Sequence, residues 1–160
     1  MKKILITGQH SYIAKQFSNF INQYPTQYSI DSISVRNNSW KEESFRSYDT
    51  LIHTAALVHE PMKNATPEQY EKVNYDLTLD IAKQAKKEGV SQFIFLSTMS
   101  VYGLNTGNIT SLTPINPTSL YGKSKAKAEE ALLALNSTEF IVTIIRAPMI
   151  YGPNCKGNFR

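Results

Sequence analysis

The chain has 160 residues, 41% of them hydrophobic and 19% charged, which suits one folded domain and excludes a disordered or fibrous chain. Its net charge of +4 comes from 17 Lys and Arg against 13 Asp and Glu. The cations are scattered, and the densest group (Lys83, Lys86, Lys87) reads as a solvated helix face, so a small anionic ligand fits better than nucleic acid.

The longest aliphatic or aromatic run, Phe93 to Leu96, is far short of the roughly 20 residues that cross a bilayer. Met1-Lys2-Lys3 is followed by no apolar signal-peptide core. The single cysteine, Cys155, leaves no intramolecular disulfide, and His10, His53, His59 and Cys155 show no metal-ligand spacing. A cytoplasmic protein with no metal and no membrane span is expected.

In chain order, Lys2–Thr7 is a short strand that ends at Gly8. Ile13, Phe17, Phe20, Ile21 and Tyr24 then recur on one helical stripe, which Pro25 terminates. Tyr28–Val35 is a second strand, and Thr50–His53 a third. Thr66-Pro67-Glu68-Gln69 is a helix start, with a capping threonine, proline at the first position and glutamine three residues after the cap. That helix carries Tyr70, Val73, Leu77, Ile81 and Ala85 on one face and stops at Gly89. Phe93–Leu96 is the fourth strand, 103–119 a loop, Tyr121–Leu135 a helix and Phe140–Arg146 a last strand. Alternating strands and helices predict an α/β domain of Rossmann-like, doubly wound form: a parallel sheet with helices on both faces and ligands at the carboxyl ends of the strands.

The chemistry-bearing residues all fall at such ends. Between the first strand and helix, Gly8 suits the tight turn of a dinucleotide loop and Ala14 its small third position. Ser11 stands where a second glycine is usual, with a hydroxyl able to cap the helix or to donate to a phosphate. Alone, the segment reads equally well as an ordinary strand-to-helix turn. Tyr121 and Lys125 lie four apart on one helix face, where an ammonium would lower the phenol pKa. Ser97, Thr98 and Ser100 follow the fourth strand. Taken singly, these too are ordinary surface or loop residues.

Together, Thr7-Gly8-x-x-Ser11-x-x-Ala14, His53-Thr54-Ala55-Ala56, Val73-Asn74, Ser97-Thr98-x-Ser100-Val101-Tyr102-Gly103, Tyr121-x-x-x-Lys125 and Arg146-Ala147-Pro148-x-x-Tyr151-Gly152-Pro153 resemble the extended short-chain dehydrogenase/reductase family. Within it they resemble the NAD-dependent epimerase/dehydratase branch (UDP-glucose 4-epimerase-like). The resemblance implies that residues 1–160 form an NAD(P)-binding domain. It also implies that a C-terminal substrate portion present in such relatives is absent from this chain.

On that resemblance, Thr98, Tyr121 and Lys125 are the catalytic set. Tyr121 would exchange a proton with a sugar hydroxyl while hydride passes between sugar and nicotinamide, and Lys125 would hold the nicotinamide ribose. Gly8, Gln9, Ser11, Tyr12, Ile13, Ala55, Ala56, Leu57 and Asn74 would surround the dinucleotide, backbone near Pro148 would meet the carboxamide, and Ser100 would face the substrate. The second strand ends in Ser34-Val35-Arg36 without an acidic residue for the ribose hydroxyls, and Arg36 suits a 2′-phosphate. The cofactor is therefore NAD or NADP, with a lean to NADP. Met99 follows Thr98, where dehydratases of this kind tend to place acid/base carboxylates, which favours epimerase.

The implied partners are a nucleotide sugar and a second copy of the chain, paired through the helices containing Tyr70 and Tyr121, with Ala126, Ala131 and Leu135 as apolar contacts. Two other readings are a non-catalytic dinucleotide-binding module, against which the intact Tyr121–Lys125 pair counts, and an inactive fragment.

Overall fold

Hydrophobic strands and the turns between them build one parallel sheet in the computed structural model, which describes residues 1–58 and 65–155. Strand β1 (Lys2–Thr7) lies between β2 (Tyr28–Ile33) and β3 (Thr50–His53). Beyond β3 come β4 (Gln92–Thr98) and β5 (Ile141–Ala147), giving the order β2-β1-β3-β4-β5. Every neighbouring pair is parallel, with Ile6 level with Ser32 on one side and Ile52 on the other. The chain thus runs outward from β1 to β2, then crosses back to β3, and the strand order reverses between β1 and β3.

Helix α1 (Tyr12–Ile21) connects β1 to β2. A continuous helical run precedes β4: α2 (Pro67–Tyr70), a π-helical segment (Glu71–Asp76) and α3 (Leu77–Lys87). It starts with the capping box that the sequence predicts. The Thr66 hydroxyl accepts from the Gln69 N–H, and the Gln69 side chain accepts from the Thr66 N–H. The π segment was not foreseeable from periodicity. In it the Leu77 N–H reaches five residues back to the Lys72 carbonyl, and the wider turn keeps Tyr70, Asn74 and Thr78 all buried at a spacing of four. Helix α4 (Leu120–Leu133) precedes β5.

Side chains alternate across the strands. Leu5, Leu51, Phe93 and Phe95 point to one face and share a core with Ile81, Ala82 and Ala85 of α3 and Ala128 and Leu132 of α4. Ile4 and Ile6 point to the other face and are buried as well, as are Ala14 and Ile21 of α1. Between β2 and β3, a single 3-10 turn (Asn38–Glu42) takes the place of a helix. There Trp40 and Phe45 stack at 6.5 Å between ring centres and join the core.

Three boundaries differ from the periodic pattern. Strand β2 stops at Ile33, so Ser34 to Arg36 are loop. Strand β4 continues to Thr98, because Ser97 and Thr98 still pair with Arg146 and Ala147 of β5. Helix α4 stops at Leu133, so Leu135 lies past its end, where it packs against the core, while Ala126 and Ala131 are half-buried on the helix. The exposed positions of α4 include Lys123, Lys127, Glu130 and Leu133.

Strand β5 is the sheet edge, with Ile141 and Ile145 53% and 47% exposed. It is fastened to α4 by a buried carboxylate. Glu129 is 2% exposed and receives Arg146 through Nε (3.2 and 3.1 Å) and Nη2 (2.7 Å). Arg146 Nη1 donates to the Tyr102 hydroxyl at 2.7 Å, and the Ser97 hydroxyl donates to Glu129. Removing one partner of such a pair leaves a desolvated charge. Arg146→Met should therefore lower the unfolding free energy in urea by about 3–5 kcal/mol, whereas Glu129→Met with Arg146→Met should lose less than the single variant. A double variant as unstable as the single one would mean that the pair's packing, not its charge, is what matters.

Candidate functional site

Open α/β sheets bind ligands where the strand order reverses, outside the carboxyl ends of the strands. At that point a cleft of about 630 Å³ opens between the β1–α1 turn and the segment after β3. Gly8, Gln9 and Ser11 form one wall, Ala55, Ala56 and Leu57 the other, and Arg36 lies at the end beside β2. Lys72 and Val73 of the π segment also line it. Seven predicted cofactor residues, from three separate stretches of chain, are thus brought to one place.

Gly8 is required by the closeness of the two walls. Its φ is +83°, and a Cβ there would stand 2.9 Å from both the Ala55 nitrogen and the Thr54 Oγ1. Gly8 and Gln9 donate their N–H groups to the Ile33 carbonyl at 3.1 and 3.3 Å, tying the turn to the end of β2. Ser11 caps α1, its hydroxyl accepting from the Ala14 N–H at 3.0 Å, and it also bonds the Thr54 hydroxyl at 3.0 Å. Of the two roles open in the sequence, the structure shows the cap. Ala14 is 1% exposed, so a small residue is needed where helix meets strand.

Tyr12 and Ile13 open α1. The Tyr12 hydroxyl fills the space that a side chain at Gly152 would need, so the segment after β5 returns to the start of α1. Arg36 is exposed at the cleft rim. Asn74 is fully buried behind the far wall. Its Oδ1 accepts from the Leu57 N–H at 2.7 Å, and its Nδ2 donates to the Leu57 carbonyl at 2.9 Å and to the Ser124 hydroxyl at 3.0 Å. Ser124 in turn donates to the Tyr121 carbonyl at 2.8 Å.

Thr98, Ser100, Tyr121, Lys125 and Pro148 are not among the residues lining that cleft: Thr98 ends β4 and Ser100 follows it, Tyr121 and Lys125 lie on α4, and Pro148 follows β5. The Thr98 hydroxyl donates to the Ser100 hydroxyl and accepts from the Ser100 N–H, both at 3.1 Å. Pro148 is exposed just past β5. Gly122 lets α4 ride directly on this turn, since a Cβ would approach the Ser100 carbonyl oxygen to 2.6 Å. Sequence reasoning passed over Gly122, although it sits beside Tyr121 in the same motif. It also gave no role to Glu129, Ser124 or Thr78, whose burial no single-residue pattern shows.

The electrostatics differ from the sequence expectation. Burial pushes the Tyr121 phenol up, its hydrogen bond with Thr98 works against that, and Tyr70 adds to the rise. Lys125 is 1% exposed and its ammonium sits 3.7 Å over the centre of the Phe95 ring. Burial pulls Lys125 down to about 7, opposed by the Glu129 carboxylate one turn further on. The phenol is therefore raised rather than lowered: desolvation is the largest cause, and Lys125 is not among the groups that shift it. Among the described residues no His, Cys, Asp and Glu side chains gather as a metal site, and no helix is long and apolar enough to cross a membrane. His59 lies outside the described residues.

A parallel sheet with a glycine turn and a helix start facing the strand-order reversal defines a Rossmann-like α/β fold. More particularly, the chain belongs to the NAD dependent epimerase/dehydratase family, whose model matches residues 4–160. It is 35% identical over 128 residues to an N-acetyl-alpha-D-glucosaminyl-diphospho-ditrans,octacis-undecaprenol 4-epimerase of Escherichia coli O157:H7, covering 78% of this chain. It is 38% identical over 124 residues to a UDP-glucose 4-epimerase of Vibrio cholerae, covering 74%. The matched region spans 38% of each of those two proteins. Among solved structures, MoeE5 in complex with UDP-glucose and NAD superposes with a TM-score of 0.83 at 21% identity, covering 96% of this chain and 56% of that one. The UDP-Glc/GlcNAc 4-epimerase of Campylobacter jejuni superposes with a TM-score of 0.70 at 26% identity, covering 91% and 53%.

The lysine supplies a test of the site's electrostatics. With its folded pKa near 7 and its unfolded pKa near 10.5, the unfolded chain binds more protons between those values, so stability rises with pH across that window. Lys125→Met should be more stable than wild type below pH 7, and the gap should close as the pH approaches 10.5. Parallel stability–pH curves, from thermal melts in matched buffers, would show that Lys125 keeps an ordinary pKa in the fold.

Proposed function

We propose that this chain is the dinucleotide-binding part of a nucleotide-sugar epimerase. The observation that carries the reading is the cleft at the β1/β3 reversal, where Gly8 lets two backbone walls approach and α1 begins. First-turn N–H groups of a helix lie outside its own hydrogen-bond ladder, so Tyr12 and Ile13 offer donors to a pyrophosphate. Leu57, held by Asn74, keeps the opposite wall in place. The residues present fit NAD or NADP, with Arg36 at the rim suited to a 2′-phosphate.

Bound nicotinamide would supply a reversible hydride acceptor. The chain's own share is proton transfer and orientation. Tyr121 takes the proton of a sugar hydroxyl as its carbon becomes a carbonyl, and returns it when the carbonyl is reduced. A phenol is protonated at neutral pH and burial reinforces this, so Tyr121 needs the Thr98 hydroxyl to turn its proton from Ser100 to the phenol oxygen, and a positive charge brought near it, before its own proton is lost to solvent. Lys125 holds the ribose, and Ser100 meets the substrate from the Thr98 turn. The 4-epimerase relatives, at higher identity than the dehydratases, favour epimerisation over dehydration. Met99 in place of an acid/base carboxylate points the same way. Self-association through the helices bearing Tyr70 and Tyr121 belongs to the same proposal.

Calorimetry on the 160-residue chain should show binding of a nicotinamide dinucleotide, NADP more tightly than NAD. Arg36→Ala should weaken NADP by about tenfold or more, the range of one charged hydrogen bond, and leave NAD unchanged. Equal affinities in the wild type would remove Arg36 from cofactor choice, and no binding of either would remove the dinucleotide reading itself. Tyr121→Phe should leave affinity intact and abolish epimerisation wherever the substrate portion is supplied; turnover by that variant would take the proton-transfer role from Tyr121.

A further inference from the structure

His53 stands at the end of β3, inside the sheet's core rather than in the cleft, and nothing in the proposed chemistry uses it. It is fully buried and stacked between Phe93 and Phe95, with ring centres 6.1 Å away on each side. Both of its ring nitrogens are bonded, Nδ1 to the Thr7 hydroxyl at 2.7 Å and Nε2 to the Thr78 hydroxyl at 3.0 Å.

The donors around it are fixed by counting protons. The Thr78 hydroxyl has one proton and gives it to the Asn74 carbonyl at 2.9 Å. Thr78 therefore accepts from His53, which puts the imidazole proton on Nε2. A neutral ring has no second proton, so Nδ1 accepts that of Thr7. Burial, and the Lys125 ammonium, hold the ring neutral, with a pKa of about 3.

The same count runs on to the phosphate turn. The Thr54 hydroxyl donates to the Thr7 carbonyl at 2.7 Å, so the Ser11 hydroxyl donates to Thr54. In the other direction, Asn74 clamps both backbone groups of Leu57. Every proton along this line has one direction, and His53 is its midpoint.

We infer that His53 is a positioning residue for the dinucleotide site: as a neutral Nε2–H imidazole it joins the β1 turn to the Asn74–Leu57 clamp, so that the two walls of the cleft keep their spacing as one unit. The inference rests on the dinucleotide reading of the cleft for its purpose, but the coupling itself is measurable without any ligand.

Amide hydrogen exchange by NMR on the 160-residue chain tests it, because the Leu57 and Ala14 N–H groups each donate to a side chain on this line. His53→Phe keeps an aromatic ring between Phe93 and Phe95 and removes both hydrogen bonds. Leu57 and Ala14 should then exchange about tenfold faster or more, while Leu51 and Phe93 keep their protection. Thr78→Val, a smaller change that breaks only the Nε2 side, should speed Leu57 and spare Ala14. In wild type, nitrogen shifts of the imidazole should report the neutral Nε2–H tautomer.

Unchanged Leu57 protection in both variants would overturn the inference, as would an Nδ1–H tautomer; in either case the ring would serve only to pack. Uniform loss of protection across the sheet in Thr78→Val would overturn it equally. In calorimetry, His53→Phe should weaken NADP and NAD alike. A wild type that binds neither, with the exchange pattern intact, would sink the dinucleotide reading and not the coupling.

Discussion

Asn74 makes a loop behave like a strand. Its carboxamide meets the N–H and the carbonyl of Leu57 at once, as a neighbouring backbone would, and it does so where β3 has already ended. A buried backbone segment without such a partner would leave two polar groups unsatisfied. The far wall of the cleft exists because one side chain replaces a missing strand. The π segment is the means. An uninterrupted α-helix would rotate Tyr70, Asn74 and Thr78 progressively off one line, whereas the wider turn lets all three face inward. Through Ser124, the same carboxamide reaches the carbonyl of Tyr121, so the far wall of the cleft and helix α4 share one buried anchor.

Much of this was legible in the sequence because it depends on local rules. Gly8 after a β-type run, the stripe from Ile13 to Ile21, and Thr66-Pro67 with Gln69 each carry their own structural signal. All five strands lie within two residues of the expected bounds at each end. The site residues around the cleft were legible only jointly, since Ala55, Arg36 and Ser11 mean nothing until the topology brings them together.

What escaped depends on depth. Tyr121 and Lys125 at a spacing of four suggest an ammonium acting on a phenol in water-like surroundings. In the fold both are largely withdrawn from solvent, and the desolvation of each dominates. Likewise Glu129 and Arg146 look like ordinary surface charges in a helix and a strand, yet the carboxylate is buried beneath a partly exposed guanidinium. The partners of such groups come from residues far along the chain, and no period of 2 or 3.6 announces them. Ser11 is the converse case. Read as a defect in a glycine loop, it turns out to be spent on Ala14 and Thr54, so its side chain is turned into the protein.

The outer side of β5 gives the molecule a colloidal character of its own. Asn136 occupies the N–H of Val142 at 2.8 Å, which blocks the first position at which another chain would begin to pair. Beyond it, exposed Ile145 and then Met149 follow along the border, and among the described residues no further strand lies alongside. An open border of this kind is a template for an incoming strand. At this one of the sheet's two borders, a single asparagine side chain occupies a backbone donor that an incoming strand would need.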